Sequence, residues 1–238
     1  MKKIILIFFA ILPAFLLAQE KKAWDFPVKP GTNEWKKFQS NQEMVDACQI
    51  PKDLISSIST EDLTEICLQY PLLSDVFAFE NLNNGLDKLF ADFNGFRELY
   101  SRKDAPQYLM KKYVHKKQLI STLDMNNTEI EKGKFIVSIS LLEVLLCRCD
   151  IQNDAAINYK HVLQNLVSGY EEKIKYTDYF MGLGFRTNFY SRIHVISKIK
   201  KESLEELPQK SNNSVLFSGM ADEQSIRVIN ELSNQLKN

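Results

Sequence analysis

Glu143 is the lone carboxylate in the run FIVSISLLEVLLC, Phe135 to Cys147. Acid–base cleavage of a glycosidic bond uses two carboxyl groups, one of them kept protonated by an apolar setting. Glu143 is the one acidic residue here with such a setting, so it is the candidate acid of a helical hydrolase acting on glycan or peptide. A salt-bridged or partly exposed glutamate accounts for the same pattern, because structural ion pairs occupy such positions too. A second cluster follows downstream. Tyr176, Tyr179, Phe180, Phe185, Phe189 and Tyr190 are interspersed with Asp178, Arg186 and Arg192. Aromatic faces with a few convergent polar groups suit a sugar ring, a peptide or a partner surface. Asp178, Tyr179, Phe180, Arg186 and Tyr190 are therefore the ligand-binding candidates. The alternative is that these rings pack the end of a bundle, since aromatic side chains dominate core burial.

Other chemistries find less support. His115, His161 and His194 fall on three different expected helices, and neither a His-x-x-x-His nor a Cys-x-x-Cys pair occurs. Cys147 and Cys149 are too close for the usual zinc spacing, and on a helix their side chains diverge by about 200°. No metal and no cofactor are expected. Cys48 and Cys67 lie near the ends of two short helices. They can form a disulfide if their Cα atoms approach within ~7 Å; otherwise they are two buried thiols. GLGFRT, from Gly182, resembles a glycine-rich phosphate loop but follows a helix instead of a strand, so the dinucleotide reading fails. Its glycines are expected to end a helix and turn the chain.

The elements that must position these residues read as helices. Ser40 or Asn41, Ser59 and Thr128 precede apolar-periodic stretches, as capping residues do. Pro51 suits a first helical position, where its missing N–H has no partner to lose. Leu82, Leu86, Leu89, Phe90, Phe93, Leu99 and Tyr100 keep one helical phase, which predicts a single helix with a weak point at Asn94-Gly95. Further helices are expected from Ala105 to about Ile120, from Thr128 through Cys147, from about Asp154 to Tyr176, through Phe189–Ile199, and after Asp222. The Phe135–Cys147 run is apolar on nearly every side, as a central bundle helix is. No proline occurs between Pro106 and Pro208, and no stretch alternates as a strand does. The expected fold is all-α: an irregular multi-helix bundle or stack of helical hairpins, with about ten helices and no repeat of fixed period.

The chain has 238 residues, with 30 basic and 30 acidic side chains. A balance so close to neutral gives no footprint for nucleic acid. Lys2 and Lys3 followed by the apolar run Ile4–Leu17 and by Ala18 read as a signal peptide, residues 1–18. That run is shorter than the ~18–20 residues a spanning helix needs, so no stable membrane span is expected after cleavage. Residues 19–238 then form a single helical domain with an extended N-terminal arm, 19–32, anchored by Trp24 and Phe26. The destination is the periplasm or the extracellular space.

Pro30-Gly31-Thr32 with Glu34-Trp35, Cys48-Gln49-Ile50-Pro51, Cys67-Leu68 with Tyr70-Pro71, and the tail LFSGMADEQSIRVINEL carry a resemblance. In these motifs the chain resembles a set of exported helical proteins from Bacteroides-type bacteria. The resemblance implies export and a helical fold, and it supplies no activity. The expected function is a non-catalytic binding or protein-interaction module for an envelope protein or glycan; the helical hydrolase is the alternative.

Overall fold

A computed structural model describes residues 24–79, 81–123, 128–148, 158–201 and 223–236. The signal segment, the expected helix start at about Asp154, and Asp222 lie outside them. Among the described residues every regular element is helical. The α-helices are α1 (Asn41–Ala47), α2 (Lys52–Ile55), α3 (Thr60–Leu68), α4 (Leu82–Asp92), α5 (Asn94–Ser101), α6 (Ala105–Gln118), α7 (Glu129–Cys147), α8 (Tyr159–Ile174), α9 (Thr177–Phe180), α10 (Leu183–Lys200) and α11 (Glu223–Leu236), with 3-10 turns at Trp35–Lys37, Leu73–Ala78 and Leu119–Thr122. The fold is an all-α multi-helix stack.

The helix starts have local causes. The Ser40 hydroxyl accepts from the Glu43 N–H, and that of Ser59 accepts from the Asp62 N–H. Thr128 and Glu131 form a reciprocal capping box at the start of α7. Each such cap satisfies first-turn N–H groups that have no intrahelical partner. Asp104 precedes α6 but does not cap it; its carboxylate accepts from the Thr60 hydroxyl instead.

The short N-terminal helices pack around Phe26, Tyr70, Phe93 and Phe96. Phe26 is buried and Trp24 packs beside it, so this part of the N-terminal arm lies against the core. Tyr70 and Phe93 stack with ring centroids 4.3 Å apart. The long helices form the rest of the core, with α7 central and packed on α6 and α10. The two regions are tied where the Tyr100 hydroxyl donates to the Leu145 carbonyl at the end of α7, 2.7 Å away.

One expected helix is two. The chain breaks between α4 and α5 at Phe93, which takes an extended conformation. The apolar phase runs through the break, but the polar groups at the joint are met from outside the helix. The Asn94 carboxamide accepts from the Ile50 N–H at 3.0 Å and donates to the Ile50 carbonyl at 2.8 Å. Gln49 donates to the Asp92 carbonyl at 2.9 Å and accepts from the Asn94 N–H at 3.1 Å. Two side-chain amides thus replace the helical ladder across the kink. Gly95 is required there, because a Cβ would stand 2.4 Å from the Phe93 ring.

Asn94→Ala removes both bonds to Ile50, whose backbone groups are half-buried or deeper. The expected loss is about 1–3 kcal/mol of folding stability, the cost of unsatisfied buried polar groups. Urea denaturation against the wild type measures it; a change below a few tenths would show that the clamp is not what holds the kink.

Candidate functional site

Four helices converge on the Glu143 carboxylate. Its position on α7 falls in the stretch Ile139–Cys147, where every residue is buried. Lys173, in the last turn of α8, donates to Oε1 at 2.7 Å. Tyr113 of α6 donates to the same oxygen at 3.0 Å, and the Asn188 amide of α10 does so at 2.9 Å. Thr187 of α10 donates to Oε2 at 2.8 Å. All five side chains are wholly buried. A buried carboxylate survives only when it is paired and bonded in this way.

The backbone makes room for the cluster at two glycines. The Tyr113 hydroxyl crosses α8 at Gly169, where a Cβ would stand 2.0 Å from its oxygen. The Phe180 ring lies over Gly184, whose carbonyl accepts a second bond from Lys173 Nζ at 2.9 Å. Gly182, at φ +83°, turns the chain into α10. The glycines of GLGFRT therefore turn the chain and admit a close approach, and α10 starts within this segment, ahead of the Phe189–Ile199 stretch where a helix is expected.

Burial governs the charges. Desolvation holds the Lys173 amine below its ordinary pKa, although Glu143 works against the shift. Burial and then the Glu143 charge push the Tyr113 phenol well up. Arg192, one turn beyond Asn188 on α10, is lowered to about 10 by burial. Its guanidinium lies over the Tyr170 ring at 4.6 Å and donates to the Asn230 side chain of α11 at 2.7 Å.

This setting bears on the catalytic reading of Glu143. Each of its described hydrogen-bond partners is a donor, no second carboxylate is among them, and no solvent reaches it. A glycosidase acid stands across a substrate-sized gap from another carboxyl group. Glu143 instead stands in a closed helix interior as a salt-bridged residue.

The five ligand-binding candidates are not brought together at one surface. Phe180 and Tyr190 are buried core residues. Phe180 roofs Lys173, its ring centroid 5.5 Å from Nζ, whereas the Tyr190 hydroxyl donates to Asn83 on α4. Tyr179 is half-buried under Lys132, which lies 4.7 Å from its ring centroid and donates to its hydroxyl. Arg186 is also half-buried, with its Nε enclosed, and Asp178 is exposed. Ring burial has outcompeted ligand display here, as the large apolar area of an aromatic side chain favours.

The proposed disulfide does not form: Cys48 and Cys67 are free thiols, both fully buried. Burial raises the Cys48 thiol to about 11 and that of Cys67 well above its ordinary value, which makes both poor nucleophiles. Among the described residues no three His, Cys, Asp or Glu side chains are grouped to hold a metal ion.

A groove that periodicity did not reveal runs between α6 and α8. Its volume is about 690 Å³. Met110, Val114, Leu146 and Val162 supply its apolar surface; Gln107, Gln118, Asn158, His115 and His161 supply polar groups. Lys111 and Lys112 also line it, each paired with a glutamate of α3, Glu61 and Glu65. No carboxylate is among the described lining residues. Val162 and Leu146 are buried core residues that the sequence does not set apart, and only packing shows that α6 and α8 leave a gap beside them.

Comparison of the chain with protein-family models, with curated proteins and with solved structures finds no match.

Glu143→Ala leaves the Lys173 ammonium buried without its counter-charge, and the expected cost is about 3–5 kcal/mol. The double variant Glu143→Leu with Lys173→Met removes both charges and is expected to be more stable than the single variant by most of that amount. Chemical denaturation of the three proteins reads the difference directly. A single variant as stable as the double would refute the ion pair as the source of the cost.

Proposed function

We propose that the chain is an exported, non-catalytic binding module that takes a short segment of an envelope protein into the groove between α6 and α8. The observation that carries this reading is the make-up of the groove. Its apolar surface accepts aliphatic side chains, while Gln107, Gln118, Asn158 and the two histidines offer the donors and acceptors that a peptide backbone uses. The volume falls within the range of pockets that bury most of a small ligand. The lysines at its edge are already neutralised by Glu61 and Glu65, which favours an uncharged segment over a strongly anionic one. Export rests on the residues 1–18 alone. The enclosed state of Glu143 supports a binding reading over the hydrolase.

The test is a peptide array probed with the labelled full chain. Peptides carrying aliphatic residues are expected to be retained, and a saturating peptide at about 100 times its Kd raises folding stability by about 2.7 kcal/mol. Val114→Glu is the matching variant, because Val114 lines the groove and is half-buried. It is expected to abolish retention with little change in Tm. Retention that survives Val114→Glu would place the binding surface elsewhere.

A further inference from the structure

We propose that Lys173 and Asn188 are the reactants of an intramolecular isopeptide bond between α8 and α10, with Glu143 promoting its formation. The argument starts from one oxygen. Glu143 Oε1 accepts from Lys173 Nζ at 2.7 Å and from Asn188 Nδ2 at 2.9 Å. An amine, a carboxamide and a carboxylate that touches both are therefore held in one place, on three packed helices. All three side chains are completely buried. The Phe180 ring covers the amine at 5.5 Å from centroid to Nζ. Such an enclosure excludes water, which would otherwise solvate the amine and compete for the carbonyl carbon.

The chemistry balances with what is present. The ion pair described above is the reactant state. Proton transfer from the Lys173 ammonium to Glu143, along an existing hydrogen bond, gives a neutral amine and a carboxylic acid with no change in net charge. Burial favours that uncharged pair. Nζ then attacks Cγ of Asn188, and negative charge develops on Oδ1. In the structure Oδ1 is buried and has no hydrogen-bond donor, while Arg192, one turn along the same helix, carries a buried Nε–H with no acceptor. Glu143, now a carboxylic acid, delivers its proton to Nδ2 and takes one of the two protons left on Nζ; the other stays as the amide N–H. The Cγ–Nδ2 bond breaks, ammonia leaves, and the Nζ–Cγ amide remains. No oxidant, reductant or co-reactant is needed. Holding the reacting groups in this way is the main advantage an intramolecular reaction has over its counterpart in solution.

A hydrogen-bonded network that is only structural leaves the covalent mass unchanged, so the two states are separable. The full chain, purified, denatured, reduced and digested with trypsin, gives the answer by mass spectrometry. The expected result is the peptide Thr187–Arg192 joined to the peptide that contains Lys173, uncut after Lys173 and lighter than the sum by one ammonia. Free Thr187–Arg192, unmodified or deamidated at Asn188, together with cleavage after Lys173, overturns the proposal. This reading of the wild type stands whether or not any variant folds. Glu143→Gln is expected to slow the reaction about a hundredfold or more, as loss of a positioned acid–base group does. Full cross-linking in that variant would overturn the role assigned to Glu143.

Discussion

The carboxylate of Glu143 constrains the structure more tightly than any apolar contact does. Burying an isolated carboxylate costs far more than the net stability of a domain. The chain offsets this with four donors, and they come from α6, α8 and α10 while the acceptor is on α7. Each donor must arrive at hydrogen-bond distance at the same time. Hydrophobic burial is non-directional and tolerates rotation or sliding of one helix against another. The carboxylate does not tolerate it. The network therefore fixes the axial register of the four helices, and the glycines at positions 169 and 184 follow from it, because larger residues would keep Tyr113 or Phe180 from its place.

A similar division of labour recurs at the other joints. Gln49 and Asn94 fasten the α4–α5 kink to the segment before Pro51 with four bonds to backbone groups. Arg148, just past α7, donates to Asn83 at 2.9 Å and pairs with Asp87 at 3.1 Å, both on α4. Arg102 reaches back from the end of α5 to the Ile58 carbonyl at 2.6 Å. These contacts lie where elements meet at angles and where apolar stripes alone would leave the arrangement ambiguous. The exposed pairs within single helices, such as Arg227 with Glu231, are of another kind; surface pairs of that sort contribute little.

How much of this the sequence revealed depended on the range of each interaction. Caps at Ser40, Ser59 and Thr128 were readable because donor and acceptor lie three residues apart. The central place of α7 was readable because its apolar character runs all round. The break at Phe93 was not: its partners Gln49 and Ile50 are more than forty residues away, and the apolar phase continues through it. The polar face of α10 was hidden for the same reason. Thr187, Asn188 and Arg192 look like solvated positions until Glu143 is placed beside them, 44 or 45 residues back for the two that bond it. Lys173 in the last turn of α8 reads as a favourable charge at a helix C-terminus. Its ammonium is in fact the counter-charge of a buried acid. The aromatic cluster misled in the opposite direction, since a local count of rings says nothing about which of them face inward.

The buried network and the groove meet on one helix. On α6, Tyr113 points to Glu143, while Met110 and Val114, on the neighbouring face, line the groove. Across the gap, α8 contributes Lys173 to the network and His161 and Val162 to the groove. The rotation of both groove walls is thus set by the same carboxylate. A wall held this way has little freedom left to lose when a ligand arrives, and binding to a preorganised surface avoids most of the ordering cost that a loose one incurs. The polar core need not touch a ligand to matter for the proposed binding. It matters by fixing the rotation of α6 and α8, and so which of their side chains face the groove.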